Sequence, residues 1–165
     1  MTQAKTRTPW MTHRDSAEVV WFLATRMSLL ASAETTGGAL GLIEGVLPPG
    51  FSPPLHVHSH EDEPMYVIEG QVTFQVGDQR FEAGPGSFVF LPKDVPHTFV
   101  VEGDAPARIL ELALPGGFER FHIEGGRPAA GPGLPPPAPP DIAMLDQLAA
   151  RYGTRHIGPP MSPRG

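Results

Sequence analysis

Residues 54–70 read PLHVHSHEDEPMYVIEG, with histidines at 56, 58 and 60 and carboxylates at 61, 62 and 63. Side chains alternate across a strand, so His56 and His58 point to one face and Val57 to the other. Two imidazoles on one face, two residues apart, are spaced to share a metal ion. EDEP ends that strand and EPMYVIEG starts the next. Glu63, at the turn between them, adds a carboxylate and completes a two-histidine, one-carboxylate set. His97 lies in GPGSFVFLPKDVPHTF, residues 84–99, an apolar segment after turn signals. An imidazole in apolar surroundings needs a partner, and a metal ion is one. The chain has no cysteine, so a metal site must use histidine and carboxylate.

The elements that must hold these residues are strands. Between residues 17 and 116, short β-prone runs recur: VVWFLA, RMSLLAS, GALGLIEGVL, MYVIEG, VTFQVG, FEAG, SFVFL, TFVV and RILELAL. Val72, Phe74 and Val76 alternate with polar residues, which is strand periodicity. Gly77-Asp78 suits a two-residue hairpin, and Gly84-Pro85-Gly86 and Pro92-Lys93-Asp94 mark further turns. Many short strands with regular turns predict an all-β barrel or sandwich. Two segments read as helical: GGFERFHIE, and residues 141–153 with Asp141 as N-cap and Gly153 as C-cap. Prolines concentrate after residue 125, where GGRPAAGPGLPPPAPP reads as a linker. The expected organisation is a loose N-terminal segment over 1–16, one barrel over 17–125, and a Pro/Gly-rich linker with a C-terminal helix over 126–165.

A net charge of −6 gives no electrostatic reason to bind nucleic acid or an anionic membrane. The apolar run at 19–33 ends in an Ala-x-Ala pattern, but Arg26 interrupts it and Glu18 stands at its start. It is too short to span a bilayer and reads as two strands rather than a signal peptide. A cytoplasmic protein is expected.

The residues resemble the cupin superfamily. The first cupin motif, G-x5-HxH-x4-E-x6-G, is matched at every spacing by Gly50, His56, His58, Glu63 and Gly70. The second, G-x5-PxG-x2-H-x3-N, is matched by Gly86, Pro92 and His97, with Asp94 for the glycine and Val101 for the asparagine. Asp tolerates the left-handed backbone such a turn needs. The resemblance implies a double-stranded β-helix, a jelly-roll barrel with short C-terminal helices. It also implies one divalent transition metal ion (Ni, Fe, Mn, Zn, Co or Cu) held by His56, His58, Glu63 and His97. The asparagine is not a metal ligand in that family, so Val101 leaves the set intact.

By alternation, Met65 and Val67 share the face of Glu63, and Phe99 and Val101 that of His97. These four are expected to form an apolar wall beside the metal. Within the superfamily the chain is similar to single-domain, quercetin dioxygenase-like cupins. That implies a dioxygenase acting on a small aromatic or enolisable substrate, with Glu63 as ligand and base. A carboxylate in an apolar barrel is expected to have raised proton affinity, which suits a base. The alternatives are a metal-dependent isomerase, lyase or decarboxylase, or a metal-containing binding or sensing module without catalysis. A homodimer is expected, because a partner can cover open sheet edges. His60 is expected to face solvent or support a ligand, Glu61 and Asp62 to sit on the hairpin surface, and His13, His122 and His156 receive no role.

Overall fold

The computed structural model describes residues 8–164; residues 1–7, part of the expected loose N-terminal segment, and Gly165 lie outside the described residues. In chain order the elements are β1 (Glu18–Phe22), β2 (Thr25–Ala31), α1 (Ala33–Thr36), β3 (Gly41–Leu47), β4 (Pro54–His58), β5 (Met65–Glu69), β6 (Gln71–Val76), β7 (Gln79–Ala83) and β8 (Phe88–Val89). There follow β9 (His97–Glu102), β10 (Ala107–Ala113), α2 (Glu119–Gly125), β11 (Arg127–Pro128), α3 (Ile142–Arg151) and β12 (Thr154–Pro160).

Among the described residues the strands form two antiparallel sheets, ordered β11-β1-β2-β3-β10-β5-β8 and β12-β4-β9-β6-β7. Their inner faces enclose one core, in which Ile43, Leu47, Met65, Phe74, Leu91 and Ile109 are fully buried. This is the jelly-roll architecture that many short alternating strands lead one to expect. Burial in β10 alternates strictly, taking in Ala107, Ile109, Glu111 and Ala113. A carboxylate at such a position is unusual and bears on the site below.

Turn chemistry sets the register. β6 and β7 close through Gly77, at φ +55°, with Val76 opposite Gln79. Asp94 takes φ +62°, the left-handed conformation expected at the glycine position of the second motif. Its backbone N–H donates to the His58 carbonyl at 2.8 Å, tying the turn before β9 to the end of β4. At Gly70, φ +85°, an added Cβ would lie 2.7 Å from the Ala107 Cα, so only glycine lets β5 turn there against β10.

The C-terminal region holds more structure than a linker and a helix. Asp141 Oδ1 caps α3 by accepting from the Met144 N–H at 3.0 Å, and the helix buries Leu145, Leu148 and Ala149 on the chain's own barrel. After α3 the chain adds β12 to the edge of the second sheet, with Thr154 opposite His58 and His156 opposite His56. The sequence TRHIGPP reads as linker because of its prolines. An edge strand tolerates proline, since one side of its backbone needs no partner, and β12 lies at that edge.

Candidate metal centre and its cavity

β4 projects His56 and His58 inward, and they are 7% and 0% exposed. β9 pairs with β4 so that His97 lies opposite His56. Glu63 sits just ahead of β5, its backbone N–H donating to the Leu91 carbonyl at 2.9 Å. The four side chains are buried, and one ligand atom from each lies within 4.8 Å of the others.

Hydrogen bonds orient the imidazoles. His56 Nδ1 donates to the Pro54 carbonyl at 2.7 Å and His97 Nδ1 to the Val95 carbonyl at 3.0 Å. A carbonyl only accepts, so the proton lies on Nδ1 and Nε2 keeps its lone pair. His58 Nδ1 is held by the Glu61 carboxylate, with the Thr154 hydroxyl 3.1 Å away. Glu63 Oε2 lies 3.4 Å from His58 Nε2 and 3.1 Å from His97 Nε2. Buried His58 Nε2 has no hydrogen-bond partner among the described residues. Imidazole lone pairs crowded against a carboxylate oxygen call for a cation between them. Three nitrogen donors and one oxygen donor, each held from behind, fit a divalent transition metal.

Without a metal the buried carboxylates draw a proton onto the cluster instead, and a bound cation would take its place. Burial pushes His56 down to about 3, against the pull of Glu63, so its ring is neutral. Burial also pushes His58 down, but Glu63 and Glu61 outweigh it and lift His58 to about 10. Glu63 corrects a sequence expectation. Burial pushes its carboxyl up, yet the facing His58 and His97 rings, when protonated, hold it well below the usual carboxylate range by charge and hydrogen bonding. An apolar barrel alone would have raised it, and the imidazoles reverse the sign.

Glu61 and Asp62 also depart from expectation. Glu61 is 4% exposed and holds His58 instead of lying on the surface. Asp62 Oδ1 accepts from the Lys93 backbone N–H at 2.9 Å, bracing the turn before β9. His60 is exposed and lies outside the cluster.

A cavity of about 330 Å³ opens from His56 and Glu63. Phe22, Phe51, Phe99, Phe118, Phe121 and Met65 form much of its wall, and Ile142, Leu145 and Asp146 of α3 help to close it. No Lys or Arg is among the described residues that line it. Of the four expected wall residues, Met65 and Phe99 line the cavity, while Val67 and Val101 do not. Both valines are fully buried. Two residues along a strand is about 6–7 Å, which carries them past the cavity into the packed core.

Three lining residues were not anticipated. His156 hydrogen-bonds Asp146 at 2.6 Å, joining β12 to α3. Glu111 is buried, and burial together with neighbouring Glu63 pushes its carboxyl well above the usual range. His122 of α2 is pushed down to about 4 by burial, so its ring is neutral. The inward position of Glu111 in RILELAL was readable from alternation; His122, whose surroundings come from distant segments, left no comparable signal.

A jelly-roll barrel with three histidines and a glutamate gathered on its inner face defines a class of β-barrel proteins with a site that could hold a metal. Residues 44–113 match the family model Cupin_2, a cupin domain, which supports placing the chain in the cupin superfamily. It is 26% identical over 103 residues to quercetin 2,3-dioxygenase of Bacillus subtilis (strain 168), covering 62% of this chain and 30% of that protein. It is 30% identical over 74 residues to the uncharacterized protein MJ1618 of Methanocaldococcus jannaschii, covering 45% of this chain and 59% of that protein. The chain thus spans less than two thirds of either relative. Among solved structures it is similar to the polyketide cyclase RemF from Streptomyces resistomycificus, at 25% identity and TM-score 0.55, covering 65% of this chain and 80% of that one. A predicted oxalate decarboxylase from Thermotoga maritima, at 19% identity and TM-score 0.60, shares the fold over 64% of this chain and 99% of that one.

Proposed function

We propose that this cupin is a metal-dependent dioxygenase acting on a small aromatic substrate with an enolisable hydroxyl. The observation that carries the reading is the position of the His56, His58, Glu63 and His97 cluster, at the end of an aromatic-walled cavity with no cationic side chain among its described lining residues. Those four residues would hold one divalent transition metal ion. When bound, such an ion supplies Lewis acidity toward a substrate oxygen and, if redox-active, a path for electrons between substrate and O2.

The chain's own residues supply the rest. Pro54, Val95 and Glu61 fix the three rings from behind, so the donors are set before substrate arrives. Glu63 Oε2 faces the imidazoles, which leaves Oε1 to take the proton of the substrate hydroxyl as that oxygen becomes anionic. A carboxylate is a weak base that takes protons readily only from acidic hydroxyls, which favours enols and phenols over simple alcohols. Phe22, Phe118 and Phe121 offer ring surfaces to a flat molecule and keep water from it. Small polyanions such as oxalate or a sugar phosphate would find no Lys or Arg among its described lining residues. The partial likeness to the Bacillus quercetin dioxygenase supports the same substrate class.

A second reading is Lewis-acid chemistry without O2, as in an isomerase, lyase or decarboxylase. The likeness to the polyketide cyclase RemF favours it. A non-catalytic binding or sensing module is the third. Oxygen uptake by the metal-reconstituted protein with a panel of flavonols decides: uptake supports the dioxygenase, product without uptake the second reading, and binding without product the third.

We also infer a homodimer. Tyr66 and Phe88 are paired across β5 and the edge strand β8, and with Phe90 they expose aromatic surface of the kind a second copy covers. A monomer in light scattering would contradict it.

A further inference from the structure

The cavity runs from the buried metal cluster to solvent, and its open end is apolar. Leu23, Ala24, Ala138, Pro140, Ile142 and Pro160 line it and are exposed. Asp146, the one polar residue among the described residues that both line it and are exposed, is already bonded to His156 at 2.6 Å. Exposed apolar residues scattered singly are ordinary. These instead come from the β1–β2 turn, the segment before α3, α3 itself and β12, and meet at one rim. The two largest are Leu23, 39% exposed, and Ile142, 58% exposed. Phe22 and Thr25 pair across the two-residue turn Leu23-Ala24, in which Leu23 takes φ +53°. Such a turn favours glycine at its first position, because a side chain there crowds the backbone. Among the described non-glycine residues only Leu23 and Asp94 have positive φ, and aspartate accepts it more readily than leucine. A leucine that is both strained and exposed adds little to folding, so its place at the rim calls for a ligand.

We propose that Leu23 and Ile142 form an apolar grip at the cavity mouth that holds an aliphatic or aryl substituent of the substrate, and so select enolisable aromatic substrates that carry such a tail. This rests on the functional reading above. A cavity of about 330 Å³ is at the small end of ligand sites, which run from about 300 to 1,000 Å³. It takes a small ring system with its oxygens at the metal cluster, and a further substituent leaves through the rim. There the tail meets Leu23 and Ile142, whose side chains are otherwise partly in water, so apolar surface is buried on both sides of the contact. A polar substituent gains nothing at the same place, since it exchanges water for carbon.

The test is calorimetric binding to the full chain loaded with zinc, a redox-inert ion that permits affinity to be read without turnover. The probes are 2-methyl-3-hydroxychromone and 2-hexyl-3-hydroxychromone, which share one metal-binding hydroxy-ketone and differ only in the tail. A fully buried methylene adds about fourfold in affinity, and one at a half-exposed rim about twofold. The wild type is therefore expected to bind the hexyl compound at least about tenfold more tightly. Leu23→Gly and Ile142→Ser are each expected to lower that ratio at least about threefold, with zinc content still stoichiometric. Leu23→Gly is also expected to melt no lower than wild type, because glycine accepts the left-handed backbone, whereas loss of a leucine kept for packing would lower the melting temperature. A wild-type ratio near one, a ratio kept in both variants, or a Leu23→Gly chain that melts lower and loses both compounds alike overturns the grip and leaves the functional reading standing. Binding of neither compound by the zinc-loaded wild type overturns both.

Discussion

Glu61 holds Nδ1 of His58 by a hydrogen bond in which both side chains are buried. That bond fixes the ring orientation, so a residue outside the ligand set sets the aim of a metal donor. Replacing Glu61 with Ala is predicted to weaken metal affinity by about 10–100-fold. His60→Ala, one residue away and exposed, is predicted to change it by less than about twofold. Competition with a chelator of known affinity measures both. Equal behaviour of the two variants would remove Glu61 from the site.

Glu63→Gln separates ligand from base. Glutamine keeps an oxygen that can face the imidazoles and loses the carboxylate that accepts a proton. The variant is predicted to retain substantial metal and to lose turnover by about 10²–10⁴-fold. Oxygen consumption per bound metal is the measurement. Undiminished uptake would keep the dioxygenase and remove Glu63 as its base.

What the sequence revealed about this site followed strand geometry. His56 and His58 are two residues apart, so alternation alone puts them on one face, and the turn to Glu63 is short. Asp94 was legible for the same kind of reason, since few residues accept a left-handed backbone. The rest depends on how the chain comes together in space, within a turn or between segments far apart. Glu61 reads as hairpin surface until the fold buries it against His58. Thr154 and His156 reach the site through β12, whose prolines disguise an edge strand. His122 reaches the cavity only when α2 sets it opposite Glu111. The sign of the Glu63 shift likewise needed both imidazoles in place, because burial alone pushes the other way.

Leu145 tests how the C-terminal helix belongs to the barrel. It is 6% exposed and lines the cavity, so truncation leaves a void that the rigid strands cannot fill. Leu145→Ala is predicted to cost about 2–5 kcal/mol. Met144→Ala, at a 42% exposed position on the same helix, is predicted to cost no more than about 0.5 kcal/mol. Urea denaturation of both variants reads the difference. Equal small losses would mean that α3 adds little to the folded barrel.

The metal-free chain should lose stability in mild acid partly through His122. Burial holds its folded value at about 4, below an ordinary value near 6.5. Between the two, the unfolded chain binds a proton there that the folded chain refuses. The stability present above about 6.5 therefore falls as pH drops toward 4. Glu111, facing His122, has its carboxyl raised by burial and by Glu63, so it gives the ring little opposing charge. His122→Leu is predicted to flatten the slope of unfolding free energy against pH in that window, by at most about 1.4 kcal/mol per pH unit. An unchanged slope would contradict a neutral, buried His122.

The central claim is that four buried side chains gather to hold one metal ion. Elemental analysis of purified wild type, His58→Ala and His97→Ala tests it most directly, with folding verified by the far-ultraviolet spectrum. The account predicts close to one divalent transition metal per wild-type chain and a large loss in both variants, since each removes a donor from a set whose members lie within 4.8 Å of one another. Full occupancy in both folded variants would contradict the assignment.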